Sequence, residues 1–127
     1  MGQLRDIESQ LDQLGFQIIA ISPDQPANLQ NTSQQLGIRF TLLSDSSMDL
    51  SKSFGVAYAV DEATLNALAQ HGVDIEAASG AGHHLLPVPA VFLVAGSGMI
   101  QFEYVNPDYS VRAHPDLILT AAKVARK

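Results

Sequence analysis

Leu4, Ile7, Leu11 and Leu14 step along the chain by three and four residues. That spacing predicts an amphipathic helix over 3–14, with Gly15 as its stop. The pattern then changes. Phe16, Ile18, Ile19, Ala20 and Ile21 form a nearly continuous apolar run, as expected of a strand covered on both faces, and Ser22-Pro23-Asp24 breaks it. Residues 26–36 read as a second helix, with Leu29 and Leu36 inward and Gly37 ending it. Phe40 to Leu43 is a short strand closed by Ser44-Asp45-Ser46-Ser47. Residues 48–54 suit a short helix, Val56 to Val60 an extended piece, and 62–71 a helix that Asp61 would cap. Residues 72–86 are rich in Gly and Ala without a period and read as a long loop. A strand over 90–95, a turn over 96–98 and a strand over 99–105 read as a hairpin. His114-Pro115-Asp116 opens a last helix, with Pro115 in its first turn. Strands alternating with helices predict an α/β sheet with helices on both faces.

The composition narrows the class. The chain has 127 residues, 46% of them hydrophobic and 16% charged, which suits one folded domain, 1–127. Its apolar runs are too short to cross a bilayer. No signal peptide is visible, and the expected location is the cytoplasm. The net charge is −6, and no Lys or Arg lies between Lys52 and Arg112. Phosphate binding needs clustered cations, so neither nucleic acid nor a membrane is an expected partner. Lys123, Arg126 and Lys127 crowd the C-terminus, where they suit the negative end of a helix dipole. There is no cysteine, which excludes disulfides, thiolate metal sites and thiol catalysis in this chain.

Few side chains invite chemistry. His83-His84 suggests a metal site, since imidazole is a common ligand. Neighbours in an extended segment point to opposite sides, however, so the pair chelates poorly and reads better as part of a structural loop. Ser44-Asp45-Ser46-Ser47 could belong to a hydrolase, but no Gly-x-Ser-x-Gly elbow is present, and Ser-Asp after a strand is an ordinary turn and cap. Gly96-Ser97-Gly98 sits between two strands and reads as a hairpin turn. Asp24 and Asp45 follow strand ends on one rim of the sheet, where α/β proteins bind ligands; both also suit turns and caps. Tyr104, Asn106 and Tyr109 flank the last strand and are explained by packing and turn formation. No metal and no cofactor is expected.

The ordered set of segments resembles the alkyl hydroperoxide reductase and thiol-specific antioxidant family, peroxiredoxin-like proteins of the thioredoxin fold. The resemblance rests on "LGFQIIAISPDQPANLQNTSQQLGIRFTLLSD", with Phe40, Leu43, Ser44 and Asp45 matching the family's F-x-x-L-S-D segment. "SKSFGV" and "LPVPAVFLVAGSGMIQFEYVNPDYSVR" match the elements that follow. The resemblance implies a thioredoxin-like sheet and thiol-dependent hydroperoxide reduction in the full-length family. It also implies a cis Val88–Pro89 bond facing the catalytic centre. Val88, with the rim residues Asp24 and Asp45, is a candidate for the groove beside it. The residues alone allow a trans Pro89 that simply begins a strand.

The departures matter as much as the match. The family's peroxidatic cysteine stands at the N-terminus of the first helix, where the dipole favours a thiolate; this chain has no cysteine. No arginine lies near Pro89 in sequence, Arg39 and Arg112 being remote. The chain is therefore expected to be inactive as a thiol peroxidase. The family's first central strand, between residues 16–21 and 90–95, has no counterpart here. Those two strands could pair directly, a protein partner or second copy could fill the gap at the open sheet edge, or Met1 could be a late start in a truncated reading of a longer protein. The last is the leading expectation. The alternative function is a cysteine-free thioredoxin-fold interaction module that binds a partner at the groove beside Pro89, a homodimer completing the sheet being one form of it.

Overall fold

The computed structural model describes residues 2–107 and 112–125. The elements run α1 (Gly2–Gln13), β1 (Ile19–Ser22), α2 (Pro26–Leu36), β2 (Thr41–Ser44), α3 (Asp49–Ser53), β3 (Ala57–Ala59), α4 (Glu62–Gln70), α5 (Ile75–Ser79), β4 (Leu85–Pro87), β5 (Ala90–Val94), β6 (Ile100–Val105) and α6 (Pro115–Ala125). The order is the mixed α/β alternation that the hydrophobic pattern predicts.

The core sits between α1, α6 and the hairpin. Ile7 and Leu11 from α1, Leu93 from β5, and Ile118 and Ala122 from α6 form one buried cluster. Val91 and Phe102 pack against it from the same sheet face, and Phe16 and Ile18 from the chain entering β1. Side chains alternate along β5, so Phe92 points the other way and meets Phe54, just after α3, with ring centroids 4.8 Å apart. That contact covers part of the second face at Phe92, whereas Val94, Glu103 and Val105 on the same face are exposed.

Three short ladders carry the strands. β1 pairs parallel with β2, β3 antiparallel with β4, and β5 antiparallel with β6. Among the described residues β1 and β5 do not pair with each other, so direct closure of the gap is not what this chain does. On one face of β1–β2, Ile19, Ile21 and Leu43 remain 51%, 40% and 46% exposed. The parallel register places Ile21 beside Leu43, so the three form one apolar surface.

Several sequence expectations shift. The strand expected over 16–21 starts only at Ile19. Gly15 takes φ +87, and the Phe16 N–H donates back to Leu11 O at 2.9 Å, so the amide that would open the strand closes α1 instead. The loop expected over 72–86 contains α5 and β4. Asp74 caps α5 by accepting from Ala77 N–H, and Gly80 ends it in the left-handed region at φ +73. A five-residue helix and a three-residue strand are too short to show a hydrophobic period. Asp61 caps α4 as expected, accepting from Thr64 N–H at 2.7 Å. Lys123 lies in the last turn of α6, on the favourable side of its dipole. Tyr109, Arg126, Lys127 and Met1 lie outside the described residues.

Candidate functional site

Asp24 and Asp45 are brought to one rim by the parallel pairing of β1 and β2. The Asp45 N–H donates to Ser22 O at 2.7 Å, extending the ladder by one bond. The Ser44 hydroxyl donates to Asp24 O at 2.6 Å, and the Asp24 N–H donates to Ser22 Oγ at 3.2 Å. Every bond to Asp24 in this set uses its backbone. Asp24 therefore serves the rim as a turn residue.

Asp45 is different, because its side chain is buried, at 8% exposure. One carboxylate oxygen accepts from Leu50 N–H at 3.1 Å. The other accepts from Ser51 N–H at 2.8 Å and from the Ser51 hydroxyl at 2.7 Å. Asp45 thereby satisfies free donors at the start of α3. Burial alone pushes its carboxyl up. The Ser51 hydroxyl, the Ser51 and Leu50 amides and the nearby His83 ring together outweigh that, so Asp45 ionises below the ordinary carboxylate range. Between Asp45 and α3, Met48 is fully buried and takes a left-handed φ of +65. Packing holds a conformation that β-turn chemistry would normally assign to Gly or Asn.

Val88 and Pro89 stand at the start of β5. The Val88 N–H donates to Val56 O at 2.7 Å, and Pro89 O accepts from Asn106 N–H at 3.2 Å. The expected cis bond is corrected: among the described residues every peptide bond is trans, including Val88–Pro89. The local reason is positional. Pro89 precedes the first residue of β5, so no ladder bond asks for the N–H it lacks, and the ordinary trans preference of an X-Pro bond prevails.

Among the described residues no hydrogen bond joins Val88 or Pro89 directly to Asp24 or Asp45. α3 bridges the two pairs. Asp45 holds its first turn, Phe54 after its last turn rests on Phe92 of β5, and Val56 bonds to Val88. Arg39 and Arg112 are exposed. The two histidines have separate partners: His83 Nε2 lies 2.6 Å from Ser46 O, and His84 Nε2 meets Glu76 Oε1. Among the described residues no three His, Asp or Glu side chains converge as a metal-binding group.

The segment missed by sequence reading is docked on this rim. The Gln25 N–H donates to Ala78 O at 2.7 Å, Gln25 Nε2 to Ala77 O at 2.9 Å, and Asn28 Nδ2 to Ala78 O at 3.1 Å. Gln25, Asn28, Ser51 and His83 therefore join the rim that Asp24 and Asp45 mark. Pro at the first turn of α2 was the one available signal that Gln25 precedes a helix; its long-range partners left no trace in sequence.

A protein of Haemophilus influenzae that carries the name peroxiredoxin bcp is 43% identical over 53 residues, which is 42% of this chain and 34% of that one. The crystal structure of Enterococcus faecalis AhpC superposes with a TM-score of 0.70 at 18% identity, covering 98% of this chain and 63% of that one. A Cys-to-Ser variant of peroxiredoxin 6 from Arenicola marina gives a TM-score of 0.72 at 17% identity, covering 98% of this chain and 52% of that one. The chain thus spans less than two thirds of each of these relatives, and the two structures establish its fold as thioredoxin-like of the peroxiredoxin kind. The AhpC/TSA family model matches residues 1–103, and the chain belongs to that family.

Proposed function

We propose that this chain is a peroxiredoxin-like antioxidant domain, 1–127, that lacks the catalytic thiol and does not reduce hydroperoxides by itself. One observation carries the reading: a family whose chemistry rests on a cysteine thiolate is represented here by a chain without cysteine. The first turn of α1 holds Gly2, Gln3, Leu4 and Arg5, none of them a redox nucleophile. The carboxylate of Asp45, the only buried carboxylate among the described residues, is committed to three donors of α3 and is not available as a base. The test is hydroperoxide consumption by the purified chain with a dithiol reductant. The expected rate equals that of a heat-denatured control, and a rate above it overturns the reading.

A second reading is favoured by the strand arrangement. Ile18, just before β1, and Leu93 of β5 share the α1–α6 core, yet β1 and β5 do not pair among the described residues, and Ile19 and Ile21 are exposed. Unpaired strand edges template the addition of another strand. In this reading the chain is an interaction module whose open edges take a second copy or a protein partner. Sedimentation across a concentration series tests the homodimer: a single species at monomer mass throughout removes it.

A further inference from the structure

His83 is fixed in one chemical form by two partners that cannot change role. The Leu85 backbone N–H donates to His83 Nδ1 at 3.0 Å, so Nδ1 carries no proton. Ser46 O, at 2.6 Å, can only accept, so Nε2 carries the proton. The docked ring is therefore the neutral Nε2–H tautomer. We propose that His83 is a pH-sensitive latch that pins the stretch entering β4 to the turn between β2 and α3, and that loosens this stretch and frees the Leu85 amide when the imidazole is protonated, while β4 stays paired with β3 and His84 O stays bonded to Val60 N–H at 2.9 Å.

A proton on Nδ1 would face the Leu85 N–H, a donor against a donor. That amide lies two residues on in the same segment, so the clash is relieved only if the backbone over 83–85 moves. Next to His83, His84 takes a left-handed φ of +53. The charged groups around the latch are few. Asp45, on the β2–α3 turn that also carries Ser46, is near enough for its charge to act on the ring. Glu76 on α5 is engaged by His84. Asp45 attracts an imidazolium and so opposes release, but its oxygens are already taken by Leu50 and Ser51. The signs are opposite for the two histidines. Protonation weakens the His83 anchor, whereas it strengthens the His84–Glu76 pair. The neighbouring ties of α5, from Gln25 and Asn28 to Ala77 and Ala78, carry no titratable group and supply an internal reference. The latch does not depend on thiol chemistry.

Amide hydrogen exchange, corrected for the intrinsic effect of pH, tests it between about pH 8 and pH 5, the range in which histidine changes charge. The Leu85 amide is expected to lose protection by about two- to tenfold on acidification, which is what one hydrogen bond contributes. The Gln25 amide should keep its protection. His83→Gln retains a side-chain amide donor for Ser46 without titrating, and should abolish the pH dependence; His84→Gln should leave it in place. Unchanged or increased Leu85 protection at low pH in the parent chain overturns the proposal, as does the same loss in His83→Gln. Nitrogen NMR of the parent chain's His83 ring is decisive even without a folded variant. Protonation in step with Leu85 exposure supports the latch, and protonation with Leu85 still protected refutes it.

Discussion

Leu11 on α1 and Asp45 after β2 are both buried, at 3% and 8% exposure, yet they are held in opposite ways. Leu11 lies in an apolar cluster with Ile7, Leu93, Ile118 and Ala122, where removal from water is the whole driving force. Asp45 lies in a polar knot, where each buried oxygen is answered by a donor from Leu50 or Ser51. The first region tolerates any close-packed apolar side chain of the right volume. The second works only with particular atoms at particular distances, because an unanswered polar group there costs more than its bond contributed. The peroxiredoxin-type fold therefore rests here on a hydrophobic half and a hydrogen-bonded half, and the two should fail differently.

The largest effect is expected in the apolar half. Leu11→Ala should destabilise the chain by about 2–5 kcal/mol, read by chemical denaturation, because the cavity adds to the lost burial. Asp45→Ala should follow, at about 1–3 kcal/mol, by stranding the donors at the start of α3. Its pH signature separates it from Leu11. The Asp45 carboxyl ionises below the ordinary value of 3.8 in the folded chain. Its contribution is therefore fully present above that value and is lost as pH falls through the lower folded value. Acid unfolding of the parent should include this step, and Asp45→Asn should lack it. A Leu11→Ala chain should keep it.

Gly80→Ala tests the docking of α5 on the rim. Gly80 has φ +73, and an added Cβ would stand 2.8 Å from the Gln25 side-chain amide, which donates to Ala77. The left-handed conformation alone should cost about 1–2 kcal/mol, with loss of protection at the Gln25 and Ala78 contacts in hydrogen exchange. The smallest change is expected at the uncovered surface. Ile21→Thr, at a side chain 40% exposed, should shift stability by less than about 0.5 kcal/mol in a monomer. A loss several times larger that depends on protein concentration would mean that a second copy covers β1, which sharpens the interaction reading.

The two halves also differed in how far they could be read beforehand. The spacing of Leu4, Ile7 and Leu11 named the buried face of α1, and two of those side chains are core residues. Pro26 to Leu36 fixed α2 at both ends, because Pro starts a helix and Gly37 stops one through its own backbone preferences. Asp61 could be named as a cap because a cap is a local event spanning three residues. By contrast, α5 and β4 were read as loop. α5 is tied to Gln25 and Asn28, about fifty positions away in the chain, and β4 is held by its ladder with β3; short elements carry no period of their own.

Asp24, Asp45, Val88 and Pro89 show the same division. That Asp24 and Asp45 share a rim followed from both lying just after parallel strands, and the ladder bond from Asp45 to Ser22 expresses it. Which of them would be buried, and that Asp45 would be spent on α3, depended on where α3 landed. The trans geometry of Val88–Pro89 follows the ordinary preference of an X-Pro bond, against the expectation that the resemblance carried. Sequence by itself determined the α/β order, the apolar face of α1 and the absence of a thiol, because periodicity, turn residues and composition are local properties. Only the tertiary structure decided that β1 and β5 stay unpaired, that Asp45 caps rather than reacts, and that His83 reaches Ser46. Those outcomes are set by atoms distant in the chain meeting at hydrogen-bond range, where a few tenths of an ångström separate a bond from a vacancy.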